Sequence, residues 1–169
     1  MCSSDLAYAV DHGALKPLAQ AQSGGNPARP IVVVAAGGGG SVSALAGQSF
    51  IAYDLGGHED RFLSSFVFQG QIGADYFKRE KPVRDAQAAL ASVRVGKAQV
   101  TLAYEGATGG LPGVFTSRPA PLPVFAQARD AVDPAVLAAV KKAAPSLAAG
   151  TEVYDGFGPY NGGNGALTA

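Results

Sequence analysis

Between residues 47 and 105, short apolar runs alternate with segments of helical periodicity, and this alternation restricts the fold more than any other feature of the chain. A strand at Ser49–Tyr53 precedes a helix from about Glu59, and a helix capped by Asp85 precedes a strand at Val100–Tyr104. Strands and helices that alternate in this way are typical of an α/β lobe with a mainly parallel sheet. The sequence therefore predicts one complete lobe of this kind, which binds ligands beyond the carboxyl ends of its strands.

The composition is that of a globular protein without a preference for polyanions. Hydrophobic residues make up 47% of the 169 residues and charged residues 15%, a balance that supports a packed core. Lys plus Arg equals Asp plus Glu at 13 each, which argues against the basic surface typical of proteins that bind nucleic acid or anionic membranes. One cysteine, Cys2, excludes an internal disulfide and a multi-cysteine metal site.

The N-terminal region of the sequence predicts that the chain is truncated at its N-terminus. No apolar stretch approaches the roughly 18 residues of a membrane span, and no signal peptide is recognisable. Leu6–Val10 has the composition of a strand that is already in progress. We therefore expect an N-terminally truncated chain without direct insertion into a membrane.

A run of glycines, Gly37–Gly40, directly follows the apolar strand Ile31–Val34. A glycine-rich loop after a strand can hold a phosphate with its backbone amides. The phosphate loop of nucleotide-binding enzymes needs a lysine after its last glycine, but Ser41 follows here, and Gly47 interrupts the long helix of the dinucleotide fingerprint. The run therefore favours a flexible connection between lobes. The alternative is an α/β nucleotide- or cofactor-binding enzyme domain that uses this loop.

Beyond residue 110 the sequence becomes richer in proline. Prolines separate two extended pieces, Val114–Ser117 and Leu122–Ala126, and restrict them to sheet edges or to crossings between lobes. Asp133 and Pro134 mark the start of a further helix, as its cap and its first residue. The predicted organisation is a remnant of a first lobe in residues 1–36, a second lobe in 37–110, and a return crossing with the C-terminal part of the first lobe in 111–169.

Five segments follow one another in a specific order, although the motif in each is weak. They are Ser43–Ala52, Gln71–Phe77, Asp85–Val100, Thr116–Pro123 and Asp133–Leu137. In this order they resemble segments of periplasmic solute-binding proteins, and most closely the phosphate/phosphonate-binding components of ABC transporters. Gln71–Phe77 is similar to the "Gly-Ile-x-Pro-x-x-Phe" loop of that family, and Asp85–Val100 to its alanine-rich helix with the ending "Val-x-x-Gly-Lys-Ala-Asp".

The resemblance implies a type 2 periplasmic-binding-protein-like α/β fold, with one complete lobe and part of a second lobe joined by crossing strands. It also implies a small polar or anionic solute, phosphate- or phosphonate-like, in a cleft between the lobes. The implied partner is the membrane permease of an ABC transporter, and the implied location is the periplasm. A ligand-sensing module without a transporter is a further alternative.

Seven residues are candidates for contact with the ligand: Gly56, Gly57, His58, Arg84, Tyr104, Glu105 and Arg118. The two glycines let backbone amides face an anion at the start of a helix, where His58 can donate to it. The family's Ser/Thr-rich anion-binding turn should fall here, but no hydroxyl residue is present. Arg84 and Arg118 can pair with an anionic group. Tyr104 and Glu105 end a strand, where the carboxylate can accept hydrogen bonds from an amine.

No arrangement of residues predicts catalysis. Ser64 and Ser65 lie inside a predicted helix, no Gly-x-Ser-x-Gly elbow is present, and the two histidines have no metal-ligand spacing with each other. The sequence therefore predicts a binding protein without a cofactor, a metal site or an enzymatic activity.

Overall fold

The computed structural model describes residues 15–38, 40–54, 57, 59–127, 132–146 and 153–160, and the chain divides into two compact units. Unit 1 combines the chain up to Arg29 with the chain from Ala120, and unit 2 is the continuous segment Pro30–Pro119. The predicted lobe boundaries at residues 36 and 110 fall inside unit 2, because the strand before the glycine run pairs within unit 2. Cys2 and the predicted strand Leu6–Val10 lie outside the described residues.

Within the described residues, two strands extend across the boundary between the units. The strands are β1 (Lys16–Gln22), β2 (Ala28–Ala35), β3 (Ser49–Phe50), β4 (Lys78–Arg79), β5 (Val100–Tyr104), β6 (Gly113–Pro121), β7 (Val124–Gln127) and β8 (Gly156–Gly158). The helices are α1 (Glu59–Arg61), which continues as a π-helix over Phe62–Val67, α2 (Ala86–Arg94) and α3 (Pro134–Ala143). Short 3-10 helices lie at Val42–Leu45, Ala74–Tyr76 and Ala144–Ser146. The strands that extend across the boundary are β2 and β6.

Unit 2 is built on a five-stranded mixed sheet with the order β4-β3-β5-β2-β6. β3 runs parallel to both β4 and β5. β2 runs antiparallel to β5, with Ile31 opposite Tyr104 and Ala35 opposite Val100. The prediction of a mainly parallel sheet therefore holds for β4, β3 and β5. β2 departs from it, because it runs antiparallel to β5 and therefore makes the sheet a mixed one, a common arrangement in larger sheets.

One face of this sheet is covered by α2. Residues of a strand alternate between the two faces of a sheet, and Leu90 of α2 packs against Val32 of β2 and Ala103 of β5. Ile51 belongs to the same layer, where it packs with Val93 of the helix. Leu90 and Val93 therefore lie on the face of α2 that packs against the sheet.

Aromatic side chains fill the opposite face. The ring centre of Phe50 lies 5.2 Å from that of Phe77, and the ring of Phe68 lies 6.1 Å from Phe77. Phe68 also packs at 5.1 Å against Phe115 of β6. Phe66, in the π-helix after α1, is also buried. Unit 2 therefore has α2 on one face of its sheet and aromatic packing on the other.

Unit 1 contains a three-stranded antiparallel sheet with the order β7-β1-β8. Phe125 of β7 and Phe157 of β8 lie 4.7 Å apart between ring centres; β8 was not predicted from the sequence. α3 begins as predicted: Asp133 Oδ1 accepts the N–H of Ala135 at 2.8 Å, and Pro134 is the first helical residue.

Candidate ligand-binding site

The carboxyl ends of the parallel strands of unit 2 meet at one edge of the sheet. Beyond β3, Tyr53 is bridged in parallel to Val83, and the N–H of Asp54 donates to the carbonyl oxygen of Val83 at 2.8 Å. β5 ends at the same level with Tyr104, which lies opposite Ile31 of the antiparallel strand β2. Open α/β sheets bind ligands at the edge where their parallel strands end, and we name it the carboxyl edge.

Tyr104 and Glu105 both lie at the carboxyl edge. Tyr104 is half-buried, and Glu105 is exposed. The N–H of Glu105 donates to the carbonyl oxygen of Pro30 at 2.9 Å, which extends the pairing between β5 and β2 by one residue. The backbone of Glu105 is therefore fixed while its carboxylate faces solvent, where it can accept hydrogen bonds.

Arg84 reaches the same edge from the chain that follows β4. Its side chain is 90% exposed, and its Nε donates to Asp85 Oδ2 at 2.7 Å. Asp85 caps α2. Its carboxyl group accepts a hydrogen bond from the N–H of Ala88, which is the larger effect, and one from Arg84, and both hold its pKa below the ordinary value. Exposed ion pairs contribute little stability, so Arg84 can exchange Asp85 for an anionic group of a ligand.

Arg118 lies towards the far end of the carboxyl edge. The N–H of Ile31 donates to Ser117 Oγ at 3.0 Å, which places residue 117 of β6 beside residue 31 of β2. The guanidinium carbon of Arg118 lies 4.8 Å from the ring centre of Phe66, within the range of a cation–π contact. Four strand spacings of about 4.8 Å separate the backbones at Arg84 and Arg118, roughly 19 Å in all. A small solute that pairs with Arg84 therefore lies far from the backbone of Arg118.

The predicted glycine turn before α1 is described only at Gly57, because Gly56 and His58 lie outside the described residues. Gly57 has a φ of +85°, which favours glycine. Its N–H donates to Glu59 Oε1 at 3.3 Å. A carboxylate of the chain therefore occupies the position that an anionic ligand would take, and such a ligand has to displace Glu59 to reach this amide.

Arg79 is a residue whose role the sequence did not predict. Its charge run with Lys78, Glu80 and Lys81 favours a solvated surface, but only 27% of the Arg79 side chain is exposed. Its Nη2 lies 2.5 Å from Oδ1 of Asp60 in the first turn of α1. Burial holds the pKa of Arg79 below its ordinary value, and the carboxylate of Asp60 opposes that change. The sequence carries no local signal for this pair, because its members belong to different elements.

Gly37, Gly38 and Gly40 of the glycine run lie at the opposite edge of the sheet, and Gly39 lies outside the described residues. The run follows the carboxyl end of antiparallel β2, where the N–H of Ala36 donates to the carbonyl oxygen of Gln99, just before β5 begins. Gly38 has a φ of +68° and closes a turn onto Ala35. A 3-10 helix, Val42–Leu45, follows instead of the long helix of a phosphate loop. The loop therefore adjoins the start of the parallel strands and not their ends.

The part of the chain that the structure describes holds no group of three or more His, Cys, Asp and Glu residues that could bind a metal ion. Over the same residues, no helix has both the length and the apolar character that a bilayer crossing requires.

Comparison by sequence gives no match, either to a family model or to a curated protein. Solved structures do match. XAC2383 from Xanthomonas citri bound to ATP has a TM-score of 0.62 at 15% identity, over 99% of this chain and 76% of that chain. The same protein bound to a chloride ion has a TM-score of 0.61 at 14% identity, over 98% of this chain and 74% of that chain.

A third structure is the binding protein component of an ABC phosphonate transporter from Pseudomonas aeruginosa. Its TM-score is 0.66 at 14% identity, and the match covers 93% of this chain but only 61% of that chain. Identities this low carry information about the fold alone. Together with the strand order and the two units, they confirm the predicted fold class: the chain has a type 2 periplasmic-binding-protein-like α/β fold.

Proposed function

We propose that the chain is the solute-binding component of an ABC transporter, which binds a small polar or anionic solute without breaking its bonds and delivers it to a membrane permease. A periplasmic location belongs to this proposal. The observation that carries it is the meeting of Asp54, Arg84, Tyr104 and Glu105 at the carboxyl edge of unit 2. Ligands of open α/β sheets bind at this edge, and the fold is one that a phosphonate-binding protein also has.

The charges at this edge favour a solute that carries both an anionic group and an amine. Arg84 offers a planar guanidinium that can pair bidentately with a phosphonate. Glu105 and Asp54 provide carboxylates that repel a lone anion but accept hydrogen bonds from an ammonium group. An aminoalkylphosphonate combines both features, and we propose this type of solute ahead of inorganic phosphate.

Isothermal titration with 2-aminoethylphosphonate, methylphosphonate, phosphate and ATP tests the proposal. We expect the aminophosphonate to bind most tightly, and Arg84→Gln and Glu105→Gln each to weaken it about tenfold, the effect of losing one charge-assisted hydrogen bond. Lys97→Gln is the matched control, because Lys97 is exposed and lies before the start of β5. Absence of binding to all four compounds, or equal affinity in all the variants, contradicts the proposal.

The alternative, a nucleotide-binding enzyme domain that uses Gly37–Gly40, has one observation in its favour, because XAC2383 has this fold and was solved bound to ATP. The position of the glycine run at the opposite edge disfavours the loop as the phosphate site. Gly37→Ala distinguishes the two functions. An added Cβ at Gly37 meets no atom of the protein within 4 Å, so the fold should tolerate it, whereas a phosphate bound by this loop would meet the added methyl group. Loss of ATP binding in this variant supports the alternative, and unchanged solute binding supports the proposal.

A further inference from the structure

Arg79 connects the edge of the unit 2 sheet to the start of α1. It lies on β4, paired with Phe50 of β3, and its guanidinium reaches Asp60 in the first helical turn. The guanidinium carbon lies 4.9 Å from the ring centre of Phe50 and 5.9 Å from that of Phe77. One side chain therefore contacts the sheet, the aromatic layer and the helix start at once.

The hydrogen bonds of the Arg79 guanidinium are incomplete, so packing alone does not explain why an arginine occupies this position. Nε and Nη1 are buried and have no hydrogen-bond partner among the described residues, and only Nη2 is directed to Asp60. Removing a guanidinium from water costs free energy that a single ion pair does not fully return. An apolar side chain such as methionine would fill the same space on the two rings without that cost. The pairing with Asp60 is thus the feature that distinguishes arginine from an apolar residue here.

We propose that Arg79 is a positioning residue for the start of α1. Through Asp60 it fixes the first turn of this helix relative to β3 and β4, and with it Glu59, whose carboxylate accepts the N–H of Gly57. The contacts of Arg79 with Phe50 and Phe77 hold the guanidinium plane, so that lysine would keep the charge but lose the stacking and the fork geometry. What the amide of Gly57 binds rests on the proposed function, whereas the fixing of the helix start does not.

Three variants test this inference in the full chain: Arg79→Met, Asp60→Asn and the control Asp75→Asn. Arg79→Met keeps an apolar side chain on the two rings and removes the ion pair. Asp60→Asn removes the same pair from the other side at a position that is 61% exposed, so that folding is retained. Asp75 is exposed in the same unit, and its variant makes the same charge change without touching Arg79.

The first measurement is hydrogen exchange of the amides in Glu59–Val67, which needs no ligand. We expect about 5-fold faster exchange in Arg79→Met and Asp60→Asn, the effect of losing a partly buried ion pair, and no change in Asp75→Asn. The melting temperature of Arg79→Met should stay level or rise, because a buried charge has been replaced by an apolar group. Unchanged exchange in both variants overturns the inference.

The second measurement is the affinity for 2-aminoethylphosphonate. Faster exchange with weaker binding in both variants supports the positioning role, and faster exchange with wild-type affinity overturns it, since the pair then supports the helix alone. If the wild-type protein binds none of the four compounds, the proposed function fails. In that case the exchange measurement still decides whether Arg79 fixes the start of α1.

Discussion

Ser117 provides the most direct test of how β6 joins the sheet of unit 2. Its Oγ accepts the N–H of Ile31 at 3.0 Å and donates to the carbonyl oxygen of Arg118 at 2.6 Å. Ile31 is fully buried, and Ser117 is 6% exposed. Ser117→Ala removes one oxygen and leaves almost no cavity, so its cost is that of a buried N–H without an acceptor. That cost is about 1–3 kcal/mol.

Amide exchange followed by NMR measures this effect at the atom concerned. In Ser117→Ala, we expect the amide of Ile31 to exchange about 5- to 140-fold faster relative to that of Val33, because each 1.4 kcal/mol corresponds to about tenfold. Thr116→Val is the matched control, since Thr116 is exposed on the same strand and its change should alter stability by less than about 0.5 kcal/mol. An Ile31 amide that stays as protected as Val33 in Ser117→Ala refutes the reasoning that a side-chain oxygen completes this part of the sheet.

Three further outcomes follow from the same structure. Leu90→Ala should destabilise unit 2 by about 2–5 kcal/mol, the cost of a cavity in a packed core. The control Val95→Ala, at a position that is 78% exposed, should change the midpoint of urea unfolding little. Equal midpoints in the two variants would contradict the packing of α2. Asp85→Asn should lower the melting temperature at pH 7, because the folded state holds the pKa of Asp85 below its ordinary value. That stabilisation is present above the ordinary pKa of an aspartate and is lost as the pH falls through the lowered pKa, so the melting temperatures of the wild type and the variant should converge in acid. Gly38→Ala should lower the melting temperature more than Gly37→Ala, since only Gly38 has a φ of +68°.

Elements with local signals were predicted well from the sequence. β5 matches its predicted bounds, Val100–Tyr104, because a buried apolar run between a helix and a glycine has one reasonable interpretation. α2 and α3 start where Asp85 and Asp133 can accept backbone N–H groups, and an acidic cap is a signal contained in a few residues. The predicted piece Val114–Ser117 is too short, since β6 runs from Gly113 to Pro121, whereas the predicted piece Leu122–Ala126 overlaps β7. The prolines of β6 are tolerated because β6 is an edge strand.

Features that depend on distant pairing were not available from the sequence. The ion pair between Asp60 and Arg79 joins a helix start to an edge strand, and both residues separately have the charge of an ordinary surface position. Only the parallel pairing of Phe50 with Arg79 brings this guanidinium under α1. For the same reason, the sequence could name Arg84 and Arg118 as candidates but not their separation, which follows from the strand order.

The direction of β2 separates the two candidate sites that the sequence left open. A glycine run after a strand is a phosphate loop only if that strand runs parallel to its neighbours, because then the run lies at the edge where ligands bind. The sequence identifies Ile31–Val34 as a strand but contains no signal for its direction. In the structure, β2 is antiparallel to β5, so that Gly37–Gly40 and Glu105 follow their strands at opposite edges. A ligand at the carboxyl edge of unit 2 therefore lies on the side of the sheet where β2 begins, and not beside the glycines that follow the end of β2.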